Sequence, residues 1–267
     1  MNRQFQYGFT LIEMAIVFLI IGALLSYTFM PLRAQLETAN IKEARGKLAE
    51  IEEAIYGFAI ANSRLPCPTL PGEGGLSVPQ NPDPANPCNS YIGFVPSGTL
   101  GLKGETNCDG LLLDPWGRPY RYSVTDSNFD GINGDDFVVS NQLRDPTNDG
   151  VGIANATPDL RVCRNLDAAC IAGAGTPPED RIADNVAAVI FSMGTKSRAN
   201  SATENENAGE GGTLPSSCGL SAYPIGNDRF YYAAKRREIA GQEFDDQLIW
   251  ISPHILYGKL LQAGQIP

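Results

Sequence analysis

"YGFTLIEMAIVFLIIGALLSYTFMP", Tyr7 to Pro31, is the stretch on which the architecture turns. From Phe9 to Met30 it carries one charge, Glu13. At ~1.5 Å rise per residue this run makes roughly 33 Å of helix, enough to cross a bilayer once. A cleaved secretory signal has an apolar region of about 7 to 15 residues and then a small-residue cut site, which fits this longer run poorly. A plain anchor leaves Glu13 unexplained. A carboxylate in the apolar part of a membrane helix costs on the order of 2.5–3.5 kcal/mol unless it is partnered. The sequence therefore implies a partner for Glu13.

Downstream of Pro31, which removes a backbone donor, the pattern turns amphipathic. Ile41, Ala44, Leu48, Ile51, Ile55 and Phe58 recur in steps of three and four between charged residues such as Lys42, Glu43, Lys47 and Glu52. Under three heptads of this spacing favour burial against a globular domain over a coiled coil. "ANSRLP" ends the helix near Asn62.

The chain has 267 residues and a formal net charge of -10, with no Lys/Arg run, which argues against nucleic acid as a partner. Its six cysteines, Cys67, Cys88, Cys108, Cys163, Cys170 and Cys218, form no CxxC pair and show no zinc-ligand spacing. Disulfides are the better reading, given an oxidising compartment beyond the membrane. The short loops Cys163 to Cys170 and Cys67 to Cys88 are the expected bridges, and sequence alone leaves the pairing of the rest open.

"GFTLIEMAIVFLIIGALL", preceded by a short polar leader with Arg3 and ending in Gly8, resembles the class III signal of type IV pilins and pseudopilins. The resemblance implies cleavage between Gly8 and Phe9 by a membrane prepilin peptidase and methylation of the new Phe9 amine. It also implies that Glu13 pairs with the Phe9 ammonium of a neighbouring subunit, or with its own during docking, a contact able to set axial register. Gly22 is then a close-packing or flexing point, and Pro31 follows it by nine residues where the family usually has eight. "LPCP" and "GLLLDPWGRPYRYSV" resemble large pilin-like proteins, and "DPWGRPYRY" is similar to the first hairpin of the major pseudopilin of type II secretion.

The remaining sequence predicts an α+β fold, a long N-terminal helix packed on a small antiparallel sheet with long loops. The expected segments are a leader over 1–8, the helix over 9–62 and a globular region over 63–267. Residues 63–110, rich in Pro and Gly, read as an ordered loop. Asp114, Pro115 and Gly117 mark a turn before a half-buried strand with Tyr120, Tyr122 and Val124 on one face. Further strands are expected over 135–141, 185–194, 229–236 and 244–252, long loops over 142–184 and 195–228, and a closing helix in "HILYGKLLQAGQIP".

Calcium is the one cofactor the sequence suggests. Asp126, Asn128 and Asp130, and again Asp145 and Asp149, follow the first half of a calcium-loop spacing, but Phe137 and Ala156 stand where an EF-hand needs its bidentate Glu. Resemblance to major pseudopilins adds a third set, Glu204 and Glu206 with Asp245 and Asp246. Enzyme signatures are absent: there is one histidine, His254, and no nucleophile elbow, zinc-protease helix or phosphate loop. The expected function is a structural subunit, a minor pilin or pseudopilin judged by its bulk, assembled through its helix into a type IV pilus or a type II secretion pseudopilus. Its partners would be other such subunits, the peptidase, an inner-membrane assembly platform and lipid. Before assembly it would sit as a single-pass inner-membrane protein with a periplasmic domain. The alternative is a tethered binding or adhesion module using the helix only as an anchor.

Overall fold

The computed structural model describes residues 10–83, 87–126, 137–139, 143–144, 158–164, 181–195, 207, 209, 212–219, 221–225, 230–233 and 244–266, with the side chains of 25–33, 212, 225, 230 and 232 outside that set. The chain divides into two compact units, Met1–Glu43 and Ala44–Pro267. One helix, α1 (Leu11–Asn62), supplies residues to both and includes Pro31 without a break.

In the first unit, every described side chain from Leu11 to Leu24 is exposed, with Leu11 at 90%, and apart from Glu13 the stretch carries no charge on any face. Among the described residues no helix is long and apolar enough to cross a membrane. The described apolar stretch is about 21 Å long at ~1.5 Å per residue, short of a bilayer core of ~30 Å. The full span expected over Phe9 to Met30 runs on into residues whose side chains are not described.

In the second unit, Ala44, Leu48, Ile51, Ile55 and Ala59 of α1 are buried at helical spacing. Leu48, Ile51 and Ile55 pack on one face of a four-stranded antiparallel sheet built from β1 (Ile92–Phe94), β2 (Arg121–Val124), β5 (Ala188–Ser192) and β9 (Gln247–Ile251), in the order β1-β2-β5-β9. Register places Tyr122 opposite Ile190 and Ile190 opposite Ile249. A one-turn helix, α2 (Ser97–Leu100), follows β1, and the closing helix α3 (Pro253–Gln262) adds Leu256 and Leu260 to the same core. Lys259 of α3 bridges to Glu53 at 3.1 Å and lies over the Tyr56 ring.

The other face of the sheet is also covered. A three-stranded sheet, β3 (Leu160–Cys163), β4 (Arg181–Val186) and β8 (Phe230–Tyr232), pairs in the order β4-β3-β8, with β3 and β8 parallel. A hairpin, β6 (Gly212–Leu214) and β7 (Tyr223–Ile225), completes the strands among the described residues. Leu160, Val162, Val186 and Tyr231 form a second core with Val189, Phe191 and Met193.

The structure corrects the sequence reading in four places. All four residues of β2 are buried, because Arg121 and Ser123, expected to face solvent, lie under the outer strands. The Tyr231 hydroxyl donates to Ser123 Oγ at 2.5 Å, and the Arg121 guanidinium sits 4.6 Å from the Phe94 ring centre. The expected loops over 142–184 and 195–228 contain β3, part of β4, β6 and β7, and one strand pair is parallel where only antiparallel pairing was expected. Phe137–Val139, read as a strand, is a buried turn whose Phe137 carbonyl accepts the Leu65 N–H. Its apolar residues serve the core without joining a ladder, a distinction periodicity cannot make over so short a run.

Candidate functional site

Where α1 begins, Thr10 and Glu13 close on each other. The Thr10 N–H and the Thr10 hydroxyl each donate to Glu13 Oε2 at 3.0 Å, and the Glu13 N–H donates to Thr10 Oγ1 at 3.3 Å. This is a capping box: the N-cap hydroxyl serves the N–H of the third helical residue, whose carboxylate serves the N-cap N–H. Within one chain, then, Glu13 already has a partner that the sequence reading missed, although the spacing Thr10-x-x-Glu13 announces it. Gly8 and Phe9 lie outside the described residues. A side chain built on Gly22 would meet no atom within 4 Å, so within this chain the site is open.

A second polar centre lies in the globular unit, on the loop between α2 and β2. Asp109, 1% exposed, receives the Ser216 hydroxyl at 2.7 Å, the Ser217 N–H at 2.7 Å, the Ser217 hydroxyl at 2.5 Å and the Tyr223 hydroxyl at 2.7 Å. Burial alone would raise this carboxyl; the bonds from Ser217, Ser216 and Tyr223 outweigh it and hold the pKa down at about 2. Tyr223 is pushed up to about 12 by its own burial and by Asp109. Next in the chain, Gly110 has φ +76°, and a Cβ there would lie 2.6 Å from Gly74 Cα, so glycine alone lets the loop pass.

Around Asp109, Cys108 and Cys218 form a disulfide with Cα atoms 6.2 Å apart, and Cys67 and Cys88 form another at 5.4 Å. Cys163 is also disulfide-bonded, and Cys170 lies outside the described residues. Cys108, Asp109 and Cys218 are the one group with metal-ligand spacing among the described residues. The donor chemistry does not fit an ion: the sulfurs are bonded to each other and supply no thiolate, and the carboxylate is saturated by hydroxyls and an N–H.

Residues 3–29 match the prokaryotic N-terminal methylation motif. The chain is 30% identical over 118 residues to the type II secretion system core protein G of Vibrio cholerae, covering 44% of this chain and 70% of that one. It is 31% identical over 124 residues to the same protein of Dickeya chrysanthemi, covering 45% and 69%. The chain belongs to the pseudopilin family of type II secretion. With the Pseudomonas aeruginosa core protein G, identity is 29% over 127 residues, 46% of this chain and 76% of that relative. No solved structure matches the chain. Members of the pseudopilin family are structural subunits of a pilus-like assembly and not enzymes, and the tethered-module reading is not favoured.

Of the calcium ligands considered for this pseudopilin, Asn128, Asp130, Asp145, Asp149, Glu204 and Glu206 lie outside the described residues. Asp126 follows the end of β2, half-buried. Asp245 Oδ2 accepts the Thr195 N–H at 2.8 Å and the Thr195 hydroxyl, and Asp246 Oδ2 accepts Asn207 Nδ2 at 2.8 Å. The Arg118 guanidinium lies against the carbonyls of Met193, Gly194 and Thr195, the first two at 3.4 and 2.6 Å. Asp245 and Asp246 thus accept from the protein's own N–H and hydroxyl groups, and calcium is assigned to neither.

Proposed function

We propose that this chain is a pseudopilus subunit of a type II secretion system, cut between Gly8 and Phe9 by prepilin peptidase and N-methylated on Phe9. The apolar run then lies in the inner membrane, with the globular unit in the periplasm. From there an assembly platform feeds it into the pseudopilus, Gly22 and Pro31 lying on the surface that neighbouring helices share. The observation that carries this reading is the apolar, exposed start of α1 with a single carboxylate, Glu13, at its first turn. In a low-dielectric medium a carboxylate attracts a new ammonium strongly. Cleavage creates one four residues before Glu13, and a neighbouring subunit brings another. Glu13 can leave Thr10 for a neighbour's Phe9 amine, and that exchange registers adjacent helices.

Mass spectrometry of membrane-extracted protein should find an N-methylated Phe9 as the first residue, and a retained Met1 would defeat the reading. Glu13→Ala should still insert and be cut but should fail to enter the pseudopilus; incorporation at the wild-type level would defeat the pairing step. Thr10→Val, which removes only the hydroxyl's part of the capping box, should leave assembly intact.

A further inference from the structure

The Cys108–Cys218 bridge and its carboxylate neighbour have a chemistry that filament assembly does not use. Both cysteines are exposed, whereas Cys67 and Cys88 are buried. An exposed disulfide is open to exchange. A thiolate bonds to one sulfur, the S–S bond breaks, and the other sulfur leaves with the electron pair and takes a proton from water. A second thiolate then resolves the mixed disulfide. In the balance, two external thiols are oxidised to one disulfide while Cys108 and Cys218 are reduced to two thiols.

Every step brings negative charge to, or leaves it on, one of these two sulfurs. A carboxylate oxygen of Asp109 and both sulfurs lie within 4.8 Å of one another, with Cys218 Sγ 3.5 Å from Oδ1. The carboxylate cannot swing away, because Ser216, Ser217 and Tyr223 hold both of its oxygens. It therefore opposes an incoming thiolate and a departing one alike. We propose that Asp109 is an electrostatic guard that keeps the exposed Cys108–Cys218 disulfide from exchanging with anionic thiols of the glutathione class.

The test uses the full-length protein in detergent, with alkylation and mass spectrometry reading the rate at which Cys108 and Cys218 become free thiols. The reductants are glutathione, which is anionic, and cysteamine, whose amine is cationic. Asp109→Asn should speed reduction by glutathione roughly tenfold at about 0.1 M salt, change cysteamine much less, and lose that advantage as salt is raised. Tyr223→Phe removes one hydrogen bond to Asp109 and keeps the charge, so its rate should stay within about twofold of wild type. An unchanged glutathione rate in Asp109→Asn would overturn the proposal. Equal acceleration of both thiols, or a Tyr223→Phe effect as large, would also overturn it, because loosening of the hairpin would then be the cause. If Asp109→Asn does not accumulate, the wild type decides: glutathione speeding up with salt while cysteamine does not supports the guard, and identical salt responses overturn it.

Discussion

Three carboxylates show how differently one chemical group can be settled. Glu13 is exposed and closes a capping box, Asp109 is buried under four donors, and Glu52 is half-buried on α1. Burial raises the Glu52 carboxyl above its usual range, and the neighbouring Glu53 adds to the rise against the pull of Lys259. An acid whose folded pKa is raised is least costly when protonated, so its penalty is absent below the unfolded pKa and grows as pH rises through the folded one. Glu52→Gln should therefore raise the melting temperature at neutral pH by roughly 1 °C, after discounting for partial exposure, and scanning calorimetry should find no gain at pH 4. Asp109 has the opposite sign. Its depressed pKa of about 2 contributes stability that is complete above the unfolded value and fades as pH falls from about 4 toward 2. An acid melt of Asp109→Asn should show a flatter limb there than wild type.

At the scale of elements, the helix was the most legible part, because Ala44, Leu48, Ile51 and Ile55 repeat at a period only a helix satisfies. Ile55→Ala should lower stability by roughly 2–5 kcal/mol, whereas Leu36→Ala, at a position 58% exposed, should leave the melting curve within about 0.5 kcal/mol. Denaturant titration compares the two. The β5 and β9 cores were also readable as apolar runs. Of the outer strands, β8 lies within the expected 229–236, but β3, β6 and β7 are three or four residues each, too short for alternation to register. The polar centre at Asp109 was hidden for another reason. It joins residues 107 to 114 positions apart, and a lone Asp beside a Cys carries no local mark of the serines and tyrosine that meet it. The Thr10–Glu13 box, by contrast, is legible in the spacing Thr10-x-x-Glu13, and a reading of Glu13 as the partner of a Phe9 ammonium passes over it.

For the whole molecule, the comparison of lengths matters most. Less than half of this chain spans about 70% of the Vibrio and Dickeya relatives, so it carries material they lack, in keeping with a second layer over the main sheet. Such bulk is hard to pack at every position of a filament. Immunogold labelling of sheared pseudopili should give sparse marks, and dense labelling along the shaft would contradict that position. The covered sheet has a further consequence. With α1 on one face and the outer strands on the other, β2 and β5 present no side-chain face to solvent. What approaches the sheet from outside meets these outer strands, while the helix-side packing stays insulated beneath them. Substitutions on the outer strands can accumulate without reaching the helix side, so the outward chemistry of this subunit is free to diversify over an unchanged helix-side core.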